Sequence, residues 1–218
     1  MTADFLIAFD CDGVLVDSER LMQDIDLGLI ADLGWTITLG EILDQHLGRS
    51  ESAITANIER RLGRPVPDDF VQRRRAAHAE AFRSSLTEVP GVTAAVTDLQ
   101  AAGYATCIAS SGTHERIGRM LHTTDLDRLF SGRIFSGEDV THGKPAPDLF
   151  LHAAAAMGYP PSCCVVVEDS PSGVAAARAA AMPVVGYCAV TPRAALADAS
   201  LLLSDMRGLP VAIRELTA

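Results

Sequence analysis

The sequence has a deficit of positive charge and few cysteines. Its 218 residues include 28 acidic and 18 basic side chains, which gives a formal net charge of −10. That balance excludes the broad basic face that nucleic acids and anionic membranes require, although a few local cations can still bind a small anionic substrate. The 5 cysteines show no metal-ligand spacing and are an odd number in a chain too long to need disulfides. We therefore expect no nucleic-acid or membrane partner, and a reducing cytoplasm as the location.

Long hydrophobic runs are lacking as well. The apolar stretches are far shorter than the ~20 residues of a membrane span, and the N-terminal residues lack the basic start of a secretory signal. Hydrophobic residues nevertheless make up 48% of the chain, enough for a substantial core, and the 21% of charged residues argues against disorder. The length fits one α/β domain, or one domain that carries a modest insertion.

Short apolar runs alternate with helix-like segments, which is typical of a parallel sheet with crossover helices. The runs are continuous rather than alternating in polarity, so both faces of the sheet are expected to be covered. They lie at 5–9, 104–109, 163–167, 182–187 and 201–203, with 133–135 as a weaker candidate. Helices are predicted at 92–102, 115–121, 147–157 and 172–180. The pattern predicts an α/β fold with a parallel-sheet, Rossmann-like core.

One long block interrupts this alternation with helical patterning alone, from residue 18 to about residue 85. Leu21, Ile25 and Leu29 recur at four-residue steps, and Gly34 is expected to end that helix. The block is too long for a simple crossover between two strands, so it predicts an inserted all-α cap domain. The predicted domains are an α/β core of residues 1–16 and 88–218 and a helical cap of residues 17–87.

Two acids follow the first predicted strand. If the extended geometry continues past the strand, Asp10 and Asp12 point to the same side, because side chains alternate with period two. Carboxylates placed side by side repel each other unless a cation lies near them. A solvated loop that happens to hold two acids is an equally open interpretation of this motif alone. The position at the carboxyl end of a parallel strand favours a ligand site.

Three further motifs occur at or near strand ends. Ser110 begins a Ser-Ser-Gly turn after the strand at 104–109, and Lys144 lies just before a predicted helix. Glu168 and Asp169 close another apolar strand, where their oxygens could hold a hard cation. Each motif alone is ordinary: Ser-Ser-Gly is common turn chemistry, and lysines usually face solvent. The four motifs together indicate a functional site much more specifically than any one of them does alone.

The ordered set of Asp-x-Asp, Ser, Lys and Glu-Asp resembles the haloacid dehalogenase-like superfamily of phosphotransferases, along the whole chain. The helical block matches the small all-α cap of that superfamily, inserted just after the first motif. Within the superfamily, the sequence is most similar to the branch of phosphoglycolate phosphatases and β-phosphoglucomutases. The stretches 9–19, 144–150 and 167–175 carry most of this likeness.

The resemblance implies roles for the acids. Asp10 would be the nucleophile that forms an aspartyl-phosphate, and Asp12 would protonate the leaving group and then deprotonate the attacking water. Mg²⁺ would be held by the Asp10 carboxylate, the Asp12 backbone carbonyl and Asp169, while Glu168 would orient a metal-bound water. An acid at position 12 leaves phosphatase or phosphomutase activity, because the dehalogenases, ion pumps and phosphonate-cleaving relatives lack it.

The resemblance also implies how the substrate is bound. Ser110 and Lys144 would bind the phosphoryl oxygens, with backbone amides near Ser111 and Gly112 adding to the phosphate site. Arg49, in the cap loop, is a candidate contact to an anionic substrate, and a surface arginine is an equally open interpretation. The expected activity is a Mg²⁺-dependent phosphatase, acting as a monomer on small sugar or short-acid phosphates.

Alternative functions are weaker. A β-phosphoglucomutase-like mutase is the enzymatic rival, but Leu47 and Glu51 stand where that branch has a lysine and an arginine. A signalling receiver module also uses Asp, Mg²⁺ and Lys, yet it carries its acids in another order and is shorter. A dinucleotide-binding module is disfavoured because no Gly-x-Gly-x-x-Gly follows the first strand.

Several other residues are interpreted as structural. The run Arg73–Arg75 is expected to form a solvated helix face, with an anion patch as the less favoured interpretation. His114 and His142 flank the Ser110 and Lys144 motifs and are interpreted as ordinary loop histidines. Trp35, the one tryptophan, and Cys11, between the two acids, are expected to pack in cores.

Overall fold

The computed structural model describes residues 5–46 and 51–218 of the chain. The described residues divide into two compact units. The first, the sheet unit, comprises residues 5–17 and 87–218; the second, the helical unit, comprises 18–46 and 51–86. No helix among these residues is long and apolar enough to cross a membrane.

The sheet unit contains one six-stranded sheet in which every pairing is parallel. The strands are β1 (Leu6–Phe9), β2 (Ala105–Ser110), β3 (Ile134–Ser136), β4 (Cys164–Glu168), β5 (Val184–Tyr187) and β6 (Leu201–Leu203). Their order is β3-β2-β1-β4-β5-β6, so all six predicted strands are confirmed, including the weaker one at 133–135. Strand order reverses between β1 and β4, and ligands of such sheets bind at that switch point, outside the carboxyl ends of the strands.

The helical unit contains four helices within the block where only helical patterning was predicted. They are α1 (Ser18–Asp32), α2 (Leu39–Gln45), α3 (Glu51–Leu62) and α4 (Phe70–Ser84). Gly34, with φ of +98°, follows the end of α1, in agreement with the predicted stop. The core of the unit includes Trp35 as predicted, and its other buried members are Ile30, Leu33, Ile37, Ile42, Ile54, Ile58 and Phe70.

The helix predicted from Leu21, Ile25 and Leu29 is confirmed as α1, although these three residues are only partly buried. The buried positions of α1 are Ser18, Gln23, Asp26 and Ile30. Asp26 can be buried because Arg74 and His78 of α4 donate hydrogen bonds to its carboxylate, and apolar periodicity cannot detect such a pairing.

Helices cover the sheet of the first unit. They are α5 (Val92–Ala101), α6 (His114–Thr123), α7 (Asp148–Met157), α8 (Pro171–Ala179) and α9 (Leu209–Leu216). Four of them were predicted, with ends that differ by one or two residues. Residues of β1, β2 and β4 pack with α7 and α8 in one buried cluster, and β1 itself is buried along its whole length. The catalytic motif predicted after β1 is therefore attached to a fully buried inner strand of the sheet.

Candidate active site

The turn after β1 holds the first two acids at the carboxyl edge of the sheet. The Asp10 N–H donates to the Val167 carbonyl of β4 at 2.9 Å, which continues the sheet pairing beyond β1. Gly13 then adopts φ of +71°, a conformation that side chains disfavour. A Cβ at Gly13 would also overlap the Asp169 carboxylate, so the turn and Asp169 can approach each other only because residue 13 is glycine.

Lys144 lies at the centre of the site. Its Nζ donates to Asp10 Oδ1 at 2.6 Å, to Glu168 Oε1 at 2.6 Å and to the Ala109 carbonyl at 3.0 Å. The side chain is 3% exposed, and these three bonds use all the donors of an ammonium group. Lys144 thus ties together the carboxyl ends of β1, β2 and β4, as the predicted grouping of these motifs requires.

Glu168 is held by its own strand-to-helix turn. Its Oε2 accepts from both the N–H and the hydroxyl of Ser170, each at 2.9 Å, and the Ser170 hydroxyl caps α8 by accepting from the Gly173 N–H. A Cβ at Gly173 would overlap the Glu168 carboxylate, so α8 can begin at this distance only with glycine there. Both oxygens of Glu168 are therefore engaged by protein donors.

The charges of the site leave carboxylates in excess over cations. Burial, opposed by the charge of Lys144 and assisted by the charges of Glu168 and Asp12, raises the pKa of Asp10 to about 7. Burial lowers the pKa of Lys144, but Asp10 and Glu168 outweigh that effect and hold its pKa above the ordinary value. Lys144 remains a cation, and a second cation would relieve the repulsion among the acids.

The acids also meet the requirements of a metal site. Carboxylate oxygens of Asp10, Glu168 and Asp169 all lie within 4.8 Å of one another, and the three residues are buried. All the donors are oxygens, which suits a hard divalent cation such as Mg²⁺. Both oxygens of Glu168 are engaged by Lys144 and Ser170, whereas Lys144 engages one oxygen of Asp10, so Asp10 is better suited than Glu168 to direct coordination.

Asp12 has a cationic partner that the sequence analysis missed. Arg116 Nη2, in the first turn of α6, donates to Asp12 Oδ1 at 2.7 Å. Thr113 caps α6 by accepting from the Arg116 N–H, which fixes the start of the helix beside β2. The available signal was positional, because the first turn after a parallel strand lies at the same edge as the acids after β1.

The loop after β2 places the second motif. Ser110 is 2% exposed, and its hydroxyl accepts from the Gly112 N–H at 3.3 Å. Ser136, at the end of β3, donates its hydroxyl to the Gly112 carbonyl at 2.6 Å. A Cβ at Gly137 would lie 2.8 Å from the Ser111 carbonyl oxygen, too close for any other residue. Ser136 and Gly137 support this loop and were also missed, because nothing in their local sequence marks them.

The described contacts bring together most of the predicted site residues. Lys144 bonds to both Asp10 and Glu168, and a carboxylate oxygen of Asp169 lies within 4.8 Å of theirs. Asp12 lies two residues from Asp10 in the sequence. Arg49 lies outside the described residues.

The residues interpreted as structural have these surroundings. His114 pairs with Asp139 at 2.8 Å and His142 with Asp148 at 3.1 Å, and Cys11 is fully buried. One interpretation is wrong in part: Arg74, in the run expected to face solvent, is partly buried in an ion pair with Asp26.

Comparisons with known proteins agree with this geometry. The family model described as haloacid dehalogenase-like hydrolase matches residues 6–181. A probable pseudouridine-5'-phosphatase of Drosophila melanogaster is 32% identical over 81% of this chain and 78% of its own length. Hexitol phosphatase B of Escherichia coli (strain K12) is 31% identical over 88% of this chain and 89% of its own.

A solved structure extends the likeness to the whole fold. A family hydrolase from Deinococcus radiodurans R1, crystallised with bound phosphate and sodium, matches with a TM-score of 0.90 and 30% identity. The match covers 98% of this chain and 97% of that one. The six parallel strands, the acids at the edge of the sheet and these matches together lead to one conclusion: the chain belongs to the haloacid dehalogenase-like hydrolase family.

Proposed function

We propose that the protein is a Mg²⁺-dependent phosphatase that hydrolyses small phosphate monoesters of sugars through an aspartyl-phosphate intermediate. The observation that carries the proposal is the sharing of one buried lysine, Lys144, by two carboxylates, Asp10 and Glu168. The two carboxylates lie at the carboxyl ends of β1 and β4, the strands between which the strand order reverses. The names of the relatives, a hexitol phosphatase and a pseudouridine-5'-phosphatase, support the substrate class.

The metal would be held by Asp10, by Asp169 and by the backbone carbonyl of Asp12, with Glu168 orienting a coordinated water. Bound Mg²⁺ supplies positive charge that stabilises the oxygens of the transferring phosphoryl group. The buried, oxygen-only acid cluster fits such an ion, and Gly13 allows Asp169 to approach the turn that carries Asp12.

Asp10 acts as the nucleophile. Its carboxylate oxygen bonds to phosphorus while the bond from phosphorus to the ester oxygen breaks, and Asp12 gives its proton to the departing alcohol. The ammonium of Lys144 holds Oδ1 of Asp10, which leaves Oδ2 to attack, and among the described residues Oδ2 accepts no hydrogen bond. Asp12 then takes a proton from water, whose oxygen attacks phosphorus and releases phosphate and the Asp10 carboxylate.

Ser110 and the loop to Gly112 would bind phosphoryl oxygens. Ser110 Oγ lies at the end of β2, and the buried Ser136 hydroxyl keeps the loop in place by donating to Gly112. Donors that are held in position before the reaction stabilise developing negative charge without reorganising. Arg116 keeps the Asp12 carboxylate beside this loop.

Hydrolysis is proposed in preference to phosphomutase activity. Glu51 stands where the mutase branch has an arginine that binds a second phosphate, and Arg75 engages it through two hydrogen bonds of 2.7 and 2.9 Å. A second phosphate would meet a carboxylate at that position.

The test is phosphate release from a panel of sugar, polyol, short-acid and nucleoside monophosphates, with Mg²⁺ or with a chelator. The proposal expects release that needs the metal, with sugar-type esters hydrolysed fastest. Release that persists in chelator would contradict the metal requirement. If no ester is hydrolysed but a sugar 1-phosphate isomerises in the presence of a bisphosphate activator, the mutase replaces the phosphatase.

A further inference from the structure

Lys144 is the one lysine of this chain, in which the other 17 of the 18 basic side chains are arginines. An ammonium group is compact and carries three tetrahedrally arranged donors, whereas a guanidinium group is larger and planar. The two groups are therefore not interchangeable at the centre of the site, where three oxygens accept hydrogen bonds from one cation. A further contact of this ammonium group, to an aromatic ring, has no part in the reaction chemistry above.

The aromatic ring belongs to Phe150. Lys144 Nζ lies over the face of this ring, 4.8 Å from the ring centroid. The negative face of an aromatic ring attracts a cation within about 6 Å of the centroid. Phe150 is 1% exposed and the Lys144 side chain is 3% exposed, so water screens the attraction very little. The contact is therefore a desolvated cation–π interaction, which is the strongest kind.

The ring of Phe150 is held in place by the core of the sheet unit. Phe150 lies in the first turn of α7, the helix that follows the Lys144 motif. It belongs to the buried cluster in which α7 packs with residues of β1, β2, β4 and α8. Side chains in such cores are close-packed, and a change of even one methylene group is felt by the neighbours. The core therefore presents the ring to Lys144 as a rigid surface.

The ring offers the ammonium group something that the oxygens around it do not. The three N–H groups of Lys144 are already taken by Asp10, Glu168 and the Ala109 carbonyl. A ring face attracts the positive charge without a further acceptor and without a further negative charge, which would add to the repulsion among the acids. An aliphatic side chain in its place would fill part of the space but would not attract the cation. Phe150 thus stabilises the ammonium group without competing for its donors.

We propose that Phe150 is a positioning residue of the active site, whose ring face holds the Lys144 ammonium group in place against Asp10 and Glu168. Its effect on the reaction is exerted through Lys144, by electrostatic attraction in addition to packing. The inference rests on the proposed phosphatase function and adds to it a residue that carries no polar group.

The consequence for the reaction follows from the bond between Lys144 and Asp10. Lys144 holds Oδ1 of Asp10 at 2.6 Å, so a displaced ammonium group also releases the carboxylate that attacks phosphorus. Displacement of a reacting group by about 1 Å is enough to lower a rate strongly, even when its cause lies away from the reacting atoms. A weaker contact between the ring and the cation should therefore lower kcat more than it changes KM.

The experiment changes the charge distribution of the ring and leaves its shape nearly unchanged. Full-length protein is made with one, two or three fluorine atoms on the ring of residue 150, by site-specific incorporation of fluorinated phenylalanines. Each fluorine withdraws electrons from the ring face and weakens its attraction for a cation. With a sugar phosphate as substrate, kcat should fall stepwise, by about threefold to tenfold for the trifluorinated ring, while KM changes less. A kcat that is independent of the number of fluorines would overturn the inference, because packing depends on shape alone.

Phe130 provides the matched control in the same unit. It is as deeply buried as Phe150, and its ring packs edge-on against Phe9 with centroids 5.8 Å apart. The same fluorinated residues at position 130 should leave kcat close to wild type, and an equal decline at both positions would contradict the inference. Phe150→Leu, which removes the ring, should lower kcat by about tenfold or more. Thermal unfolding establishes that each protein is folded, and the fluorinated series decides the question if Phe150→Leu is not.

A spectroscopic measurement separates this inference from the phosphatase proposal. Because the chain has one lysine, protein labelled with ¹³C,¹⁵N-lysine gives a single side-chain ammonium signal in the NMR spectrum. The ring current of Phe150 should shift the hydrogens on Cε of Lys144 upfield, and exchange of the ammonium hydrogens with water should accelerate stepwise across the fluorinated series. An unshifted signal, or exchange that fluorination does not change, would overturn the inference whether or not any ester is hydrolysed. The expected spectra from a protein that hydrolyses no ester would refute the phosphatase proposal alone.

Discussion

The two units of this protein each bury a cluster of charged residues, and the two clusters are balanced in opposite ways. In the sheet unit two carboxylates, Asp10 and Glu168, share the single ammonium of Lys144. In the helical unit a single carboxylate, Asp26, receives hydrogen bonds from both Arg74 and His78. In the cluster of the sheet unit, carboxylates therefore outnumber the cation that they share. In the cluster of the helical unit, hydrogen-bond donors outnumber the one carboxylate that they bind.

The pKa shifts follow this balance. Burial raises the pKa of both Asp10 and Asp26. At Asp10 the neighbouring acids add to that effect, and its pKa reaches about 7. At Asp26 the hydrogen bonds from His78 and Arg74 outweigh burial and hold its pKa below the ordinary value. A surplus of buried acid is typical of a site that awaits a cation, whereas a fully matched ion pair is typical of a structural clamp.

The largest effect on activity is expected from removal of the Asp10 carboxylate. Asp10→Asn should reduce kcat by about 10⁴-fold or more, on the scale of nucleophile removal in other hydrolases, because an amide does not attack phosphorus. Thermal unfolding should remain close to wild type, since the substitution relieves a surplus of negative charge. Asp98→Asn, at an exposed position of α5, is the control and should match wild type in both measurements. Substantial turnover by Asp10→Asn would remove Asp10 from the mechanism.

The matching change in the helical unit should act on stability. Asp26→Ala leaves the partly buried Arg74 without its partner, and the free energy of unfolding should fall by up to about 3 kcal/mol, the lower end of the loss for a fully buried ion pair. Chemical denaturation of Asp26→Ala against Asp24→Ala, an exposed acid on the same helix, measures the difference. Equal stabilities would show that the pair contributes nothing.

The contribution of Asp26 to the free energy of unfolding should depend on pH. Because the pKa of Asp26 is lower in the folded protein than in the unfolded chain, its contribution is fully present above the ordinary value of 3.8. That contribution is lost as the pH falls through the folded pKa, where Asp26 takes up a proton. The stability gap between wild type and Asp26→Ala should therefore narrow in acid. A gap that widens in acid would contradict the assigned shift.

Arg116 offers a smaller test within the sheet unit. Arg116→Gln removes the charge that holds Asp12, so kcat should fall by about 10- to 100-fold with a smaller change in KM, as expected for misplaced acid–base catalysis. Arg116→Lys should recover part of kcat. Arg119→Gln, an exposed arginine of the same helix, is the control. A loss confined to KM would assign Arg116 to substrate binding instead of to the positioning of Asp12.

The smallest expected effect is a coupling between pH and metal. Protons compete with a cation for Asp10, whose pKa is about 7, so the carboxylate is increasingly protonated below that pH. The Mg²⁺ concentration for half-maximal activity should rise as the pH falls below 7, by up to about tenfold per pH unit. A half-maximal concentration that stays constant from pH 7.5 to 5.5 would contradict the role of Asp10 in metal binding.

Much of the fold was predictable because the strands are buried on both faces. Strands β1, β2, β4 and β5 are almost wholly buried, and such strands appear in a sequence as continuous apolar runs. The order of the motifs then predicted that Asp10, Lys144 and Glu168 would meet, since carboxyl ends of parallel strands share one edge.

The residues that were missed depend on contacts between distant parts of the sequence. Arg116 and Asp12 are 104 residues apart, and Arg74 and Asp26 are 48 apart. Charged residues carry no periodic signal that distinguishes a buried pair from a solvated one. Arg74 was therefore grouped with its exposed neighbours, and the four-residue spacing of Leu21, Ile25 and Leu29 gave no sign that Asp26 is buried on the same helix.

The most direct test of the account is to trap the covalent intermediate. The protein is mixed with Mg²⁺ and a rapidly hydrolysed sugar phosphate, quenched, and treated with borohydride, which reduces an acyl phosphate to an alcohol. Peptide mass spectrometry should then find homoserine at position 10, and none when substrate or Mg²⁺ is omitted. Phosphate release without any modification of Asp10, or homoserine at another acid, would contradict the claim that the surplus carboxylate of the sheet unit is the nucleophile.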